Sequence, residues 1–148
     1  MINGLFETHV STTSLETAIQ FYCKLGLQHA YTEKARRVAF FWIGKPGHSM
    51  LGVWEVPREK WVSQHFAMHV DIEQFRESLT YLKDIGMTLR NISRTGEDPE
   101  VHAWMPAVSI YFRDPDGNSL EFISMLPDEP QPDLGIVPYT EWEKMHQR

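Results

Sequence analysis

Glu7 and His9 stand two residues apart in the stretch Leu-Phe-Glu-Thr-His-Val-Ser-Thr at residues 5–12, whose composition reads as a β-strand. Side chains alternate faces along a strand, so these two share one face. The same period puts His65, Ala67 and His69 on one face of a strand at 65–70, and Leu51, Val53 and Glu55 on one face of a strand at 49–56. Glu121 lies between Leu120 and Phe122, where an ionised carboxylate is costly unless something pairs with it. A metal ion or a cation removes that cost. Two imidazoles and a carboxylate with open coordination positions suit Fe(II), Mn(II), Zn(II) or Ni(II). Taken singly, each has a plainer reading as a solvent-facing or ordinarily hydrogen-bonded strand residue. Their placement on corresponding strands of a repeated unit is what groups them.

The elements that must position these side chains come in two matching sets. After the first strand, Thr13-Ser14-Leu15-Glu16 has the capping-box pattern, with Thr13 as cap and Glu16 reaching back. Leu15, Ala18, Ile19, Tyr22 and Leu25 follow at helical spacing, and Gly26 suits the residue that ends the helix. A strand near 27–31 comes next. Val38–Ile43 and Ser49–Val56 read as strands joined by Lys45-Pro46-Gly47, and Pro57 opens a polar connection. The second set begins with a strand at His65–Val70. Asp71 can cap a helix carrying Phe75, Leu79 and Leu82, which Gly86 ends. A short strand at Thr88–Ile92, a long loop at 93–107, and strands Val108–Arg113 and Ser119–Met125 around Asp114-Pro115-Asp116-Gly117 complete it.

The order β-α-β-β-β therefore occurs twice, and Val38–Leu51 aligns without a gap on Val108–Glu121, with Val, Gly and Ser identical. This predicts an α+β fold of two βαβββ modules, about 4–56 and 64–125, in a single domain over 1–125 with a curled mixed sheet. Beyond Leu126, prolines at 127, 130, 132 and 138 predict an irregular tail over 126–148, ending in a short helix near 139–146.

With 148 residues, 42% apolar and 23% charged, the chain is long enough for one real core. Its net charge of −6 argues against a nucleic-acid partner. No apolar run reaches the ~18–20 residues of a membrane span, and no basic, apolar leader is visible at the start. Cys23 is the lone cysteine, so neither an intramolecular disulfide nor a CxxC metal site can form. A cytoplasmic protein is the expectation.

Two motifs carry a family resemblance: Leu15-Glu16-Thr17-Ala18-Ile19-Gln20-Phe21-Tyr22 with Leu25-Gly26-Leu27, and Phe112-Arg113-Asp114-Pro115-Asp116-Gly117-Asn118-Ser119-Leu120-Glu121. Over residues 4–125 the chain resembles the vicinal oxygen chelate superfamily of glyoxalases, extradiol dioxygenases, and fosfomycin- and bleomycin-resistance proteins. That resemblance implies paired βαβββ modules curled around a divalent metal, and a homodimer. It carries the metal ligands over to Glu121 and His65. The first-strand ligand falls on Glu7 by alignment with Phe21-Tyr22, and His9 rivals it on chemistry, either as ligand or as an acid/base group. The fourth ligand of glyoxalase I, a glutamate, meets Leu51 here, which disfavours that enzyme's site and suits three-ligand members. Glu55, four residues on, is a candidate general base, with a strand-end surface carboxylate as the plainer reading.

Trp42, Trp54 and Trp104, with Phe40 and Met105, are candidates to line an apolar pocket. Arg94, with Thr95, and Tyr111 fall near the phosphonate-contacting positions of fosfomycin-resistance proteins, and Arg94 can hold an anion. The loop after Thr95 is longer than in that subfamily. His69 and His102 read as structural or surface residues, and His29, His48 and His146 as surface. Two functions follow from the resemblance. One is a metal-dependent enzyme that chelates neighbouring oxygens of a small substrate, as an isomerase, lyase, thiol transferase or dioxygenase. The other is a metal-free small-molecule or drug-binding protein, for which tryptophans and negative charge suit a cationic ligand.

Overall fold

The computed structural model describes residues 1–148. Its elements are β1 (Glu7–Thr12), α1 (Leu15–Leu25), β2 (Gln28–Glu33), β3 (Val38–Trp42), β4 (Met50–Glu55), β5 (His65–His69), α2 (Ile72–Asp84), β6 (Glu100–His102), β7 (Ala107–Arg113), β8 (Ser119–Met125), β9 (Ile136–Pro138) and α3 (Tyr139–Met145). Short 3-10 turns occupy Arg58–Lys60 and Pro132–Leu134. The strands form two open sheets, in the orders β1-β4-β3-β2 and β5-β8-β7-β6-β9. Two units can be distinguished: residues 1–66 with 113–119, and residues 67–112 with 120–148. No helix is long and apolar enough to cross a membrane.

In the first unit β1 runs parallel to β4, and β3 antiparallel to it, so that His9 and Phe40 both register on Gly52. One face of this sheet is apolar: Val10, Phe41, Leu51 and Val53 are buried there, and Tyr22 of α1 lies 5.6 Å from Phe41, ring to ring. Each such side chain removed from water contributes roughly 1.5–3 kcal/mol. The other face carries Glu7, His9, Phe40, Trp42, Met50, Gly52 and Trp54 by the same alternation.

The start of α1 departs from the capping-box expectation. Ser14, not Thr13, is the cap, accepting from Thr17 N. Glu16 does not reach back; it pairs with Arg37 at 2.8 Å. The N–H of Leu15 is met instead by Glu55. Thr13 serves the turn at 114–117: its N–H and hydroxyl, with the hydroxyl of Thr12, all donate to Asp116. Asp114 accepts from the backbone N–H groups of Asp116, Gly117 and Asn118, and from Tyr22 and the Asn118 amide. The Asp-Pro-Asp-Gly motif is thus a hydrogen-bonded hub that ties the turn to the end of β1 and to α1.

In the second unit Phe75 and Leu82 of α2 are fully buried, and Phe112 and Phe122 meet edge to face at 5.1 Å. The strand expected at Thr88–Ile92 shrinks to one bridge, Arg90 to Tyr111. The loop expected over 93–107 instead contains β6, which pairs with β7 on one side and β9 on the other. The tail is likewise not irregular: β9 adds a fifth strand to the sheet, and Trp142 of α3 is fully buried with its indole N–H on Asp128. Prolines 127, 130 and 132 fall before these elements and do not prevent them.

The ungapped repeat joins residues on unlike faces. Leu51 lies on the apolar face beside Phe41, whereas Glu121 lies near His102, on the face opposite the Phe112–Phe122 pair. The open-face residues of β4 are Met50, Gly52 and Trp54, so with either phase no carboxylate stands at a fourth ligand position in the middle of that strand.

Candidate functional site

His9 sits in the middle of the open face of the first sheet, and its surroundings define which nitrogen carries the hydrogen. The indole N–H of Trp54 donates to His9 Nδ1 at 2.8 Å. An indole nitrogen only donates, so Nδ1 holds a lone pair and the ring hydrogen is on Nε2. Nε2 faces Glu7 Oε1 at 3.1 Å. The ring fits there because residue 52 is glycine: a Cβ at that position would lie 2.3 Å from His9 Nδ1. Phe40 meets the imidazole edge-on at 6.5 Å, and Trp54 is tilted against it at 6.1 Å. Beyond them, Phe6 contacts Trp42 edge-on, and the Arg36 guanidinium covers Trp54 at 5.6 Å while paired with Glu33. The result is a partly exposed aromatic surface with a carboxylate–imidazole–indole line across it.

A second polar cluster lies in the second unit. His102 Nε2 is 3.1 Å from Ser109 Oγ, 3.3 Å from the Tyr111 hydroxyl and 3.9 Å from Glu121 Oε1. The Arg90 guanidinium lies over the Tyr111 ring at 5.0 Å. Burial pushes the Tyr111 phenol up to about 12; a hydrogen bond from Ser109 opposes this, while its own bond to Glu121 adds to it. Glu121, at 5% exposure, is the most deeply buried of the carboxylates expected at the site. His102, read from the sequence as structural or surface, is therefore a central member of a polar cluster. Ser109 carries no sequence signal of its own either. Three residues of strand are too few to show a period of two, so β6 gave no sequence signal.

The other expected residues are placed as follows. His65 Nδ1 is 2.8 Å from the carbonyl of Ser119, which can only accept, so Nδ1 carries the hydrogen and Nε2 the lone pair. Glu55 is engaged structurally: Arg37 Nε and Nη2 and the Leu15 N–H all donate to it, and the arginine bond foremost holds its carboxyl below the ordinary range. Arg94 is exposed with φ of 59°, in the turn closed by Asn91 and Thr95. Trp104 is 60% exposed. His69 is exposed near Asp71, and His48 is exposed. His29 is exposed and bonded to Thr32, whereas His146 stacks on Trp142 at 4.6 Å.

Nowhere do three His, Cys, Asp or Glu side chains gather in an arrangement that could hold a metal ion. Glu7 and His9 are bound to one another, Nδ1 of His9 is taken by Trp54, and Glu121 takes the bond from Tyr111. Bonded in this way, Glu7 with His9, and Glu121, do not fit a resident divalent ion.

Residues 4–122 match the Glyoxalase/Bleomycin resistance protein/Dioxygenase superfamily. The chain belongs to this superfamily. An integron cassette protein from the mobile metagenome of the Halifax Harbour sewage outfall is 34% identical, with a TM-score of 0.75, across 84% of this chain and 100% of its own. The superfamily fold is shared with a lactoylglutathione lyase from Agrobacterium tumefaciens (22% identity, TM-score 0.63, 83% of this chain and 94% of that one). It is also shared with the fosfomycin resistance protein FosX from Mesorhizobium loti (21%, 0.59, 86% and 96%). The superfamily match stops short of β9 and α3.

Proposed function

We propose that this superfamily member binds a small planar or aromatic molecule on the open face of its first sheet and exchanges a proton with it through His9. The Glu7–His9–Trp54 line is the observation that carries this reading. Nδ1 of His9 is a hydrogen-bond acceptor held in place by a donor that can leave. A ligand N–H or O–H replaces the Trp54 N–H at Nδ1 and transfers its proton there. The imidazolium that forms keeps its Nε2–H on Glu7, whose carboxylate offsets the new charge. Phe40, Trp42 and Trp54 supply stacking surface. The Arg36 guanidinium over Trp54 supports a planar cation as a compatible ligand class, and Glu7 together with the net charge of −6 disfavours an anionic ligand.

The test is a ligand screen by ligand-observed NMR on chelator-treated protein, with a library of small aromatic amines, phenols and heterocycles. Hits are expected to persist without metal and in His65→Ala, and to weaken at least tenfold in His9→Leu and Trp54→Ala. Binding that requires added Mn(II), Fe(II), Ni(II) or Zn(II), and that is lost in His65→Ala and Glu121→Ala, would overturn the reading in favour of the metal-dependent enzyme.

A further inference from the structure

The polar connection between β4 and β5 is laced onto the end of β1 and the Asp-Pro-Asp-Gly turn, all within the first unit. The Trp61 indole N–H donates to Ser11 O at 3.0 Å, and the Ser63 hydroxyl donates to Gly117 O at 3.0 Å. The Gln64 N–H donates to Asn118 Oδ1, while Gln64 Oε1 takes the N–H of Ser11. Between this strap and the turn lies a cavity of about 260 Å³, lined by Thr13, Arg58, Trp61, Pro115 and Asp116. Its lining is chemically divided. Asp116 accepts from the Thr12 hydroxyl at one oxygen, and from the Thr13 N–H and hydroxyl at the other. These bonds fix the carboxylate and use the Thr13 hydroxyl hydrogen, so Asp116 and Thr13 Oγ1 offer the cavity only acceptors. The Arg58 guanidinium offers only donors. It pairs with neither Asp116 nor any other carboxylate. One cavity thus carries a cation and an anion that do not meet each other, with the Trp61 ring and Pro115 as its apolar wall.

We propose that this cavity binds a small zwitterion of the α-amino acid class. The carboxylate pairs with the Arg58 guanidinium, the ammonium with Asp116 and Thr13 Oγ1, and the side chain lies against Trp61 and Pro115. A simple anion meets a like charge at Asp116, and a simple cation meets one at Arg58. A ligand that carries both charges satisfies both groups. The volume falls below the roughly 300–1,000 Å³ of pockets for drug-sized molecules, which suits a single amino acid. Walls already fixed by hydrogen bonds lower the ordering cost of binding. The site shares no residue with the His9 surface, so neither reading depends on the other.

The test is an NMR titration of the isotope-labelled full chain with each of the common L-amino acids in turn, read at the Trp61 indole N–H and the Thr13 amide. Trp61→Phe assigns the indole signal. At least one amino acid is expected to move both signals at millimolar concentration. Its N-acetyl derivative lacks the ammonium and its carboxamide lacks the carboxylate. Each is expected to bind about tenfold more weakly or worse, because each loses a charge-assisted bond. Arg58→Gln is expected to weaken the amino acid to the same degree and to leave the carboxamide unchanged. The Arg58 side chain holds no partner in the fold, so this variant is expected to unfold at the wild-type midpoint. No response to any amino acid overturns the proposal. So does a derivative that binds as well as its parent, an Arg58→Gln variant with wild-type affinity, or inorganic phosphate that moves the same signals as strongly. The derivatives are compared on wild-type protein, so that comparison decides even if the variant is lost.

Discussion

Gly52 lies directly beneath His9: the two residues are register partners across β1 and β4, and a Cβ on residue 52 would come within 2.3 Å of the imidazole. The histidine can lie flat on the sheet only because its neighbour has no side chain. The open face of the first sheet is therefore shaped for this ring, not merely tolerant of it.

Gly52→Ala is expected to force the ring off the sheet and break its bond to Trp54. Overpacking of this kind costs about 1–3 kcal/mol. Urea unfolding measures the loss, and the decisive comparison is a cycle with His9→Ala. In the His9→Ala background the added methyl has room, so Gly52→Ala should cost clearly less there.

Trp54→Phe removes the indole N–H and leaves Nδ1 of His9 to water, because the site is partly exposed. The loss of stability is expected to be small, about 1 kcal/mol. Glu7 still accepts from Nε2–H, so His9 should keep the Nε2–H tautomer in nitrogen NMR spectra of the variant as in the wild type, with the Nδ1 shift moved by loss of the indole donor. A wild-type ring in mixed tautomers would contradict the geometry of the Glu7–His9–Trp54 line.

The period of two in Val38–Trp42 and Met50–Glu55 and the helix stop at Gly26 were legible in the sequence because they are local: alternation and a left-handed φ of 107° depend on adjacent residues. What was not legible depends on distant partners. Ser14 rather than Thr13 caps α1, with Thr13 drawn to Asp116, 103 residues away. The hydrogen on His9 is set by Trp54, 45 residues away. The repeat was legible, but its phase was not, since a one-residue offset leaves the pattern of residue types similar while exchanging the faces. Glu7, His9, His65 and Glu121 could be named as polar residues on strand faces; which partner each one meets could not.

Asp114 is expected to matter for stability more than for chemistry. It is 6% exposed and accepts from three backbone N–H groups, Tyr22 and Asn118. Asp114→Ala strands these donors together, at a cost expected to exceed about 3 kcal/mol. Asp114→Asn keeps one acceptor and should fall between. Thermal or urea unfolding resolves the order.

Acid should weaken the first unit through Arg37. Its hydrogen bond to Glu55, then that from the Leu15 N–H, lowers the Glu55 carboxyl below its ordinary 4.5, and Glu16 is lowered chiefly by the same arginine. The unfolded chain takes up these protons first as pH falls. The associated stability is therefore present above pH 4.5 and is lost as pH drops through the lowered folded values. Arg37→Gln is expected to be less stable at pH 6 and to lose less between pH 5 and pH 3, about these ordinary carboxylate values. Urea midpoints across that range give both slopes; parallel slopes would refute the assignment.

The C-terminal segment should prove integral to the second unit. β9 covers the outer edge of β6 by pairing from Glu100 to His102, and Tyr139 N–H bonds Pro99 O. Behind it Trp142 is fully buried, its indole N–H on Asp128, which Arg148 also contacts. On α3, Glu143 also takes both bonds from Arg76 of α2. Trp142→Ala removes a large buried ring and is expected to cost about 3–5 kcal/mol. Trp142→Phe keeps most of the volume but leaves Asp128 without the indole donor, so it should cost less. If the segment were a loosely attached tail, both variants would unfold with the wild-type midpoint. If it is the fifth strand and its anchor, amide exchange at Ala103, whose N–H bonds Gly135 O, should speed up in Trp142→Ala together with the global loss. An Ala103 amide that exchanges fast already in the wild type would show that β9 opens independently of the sheet.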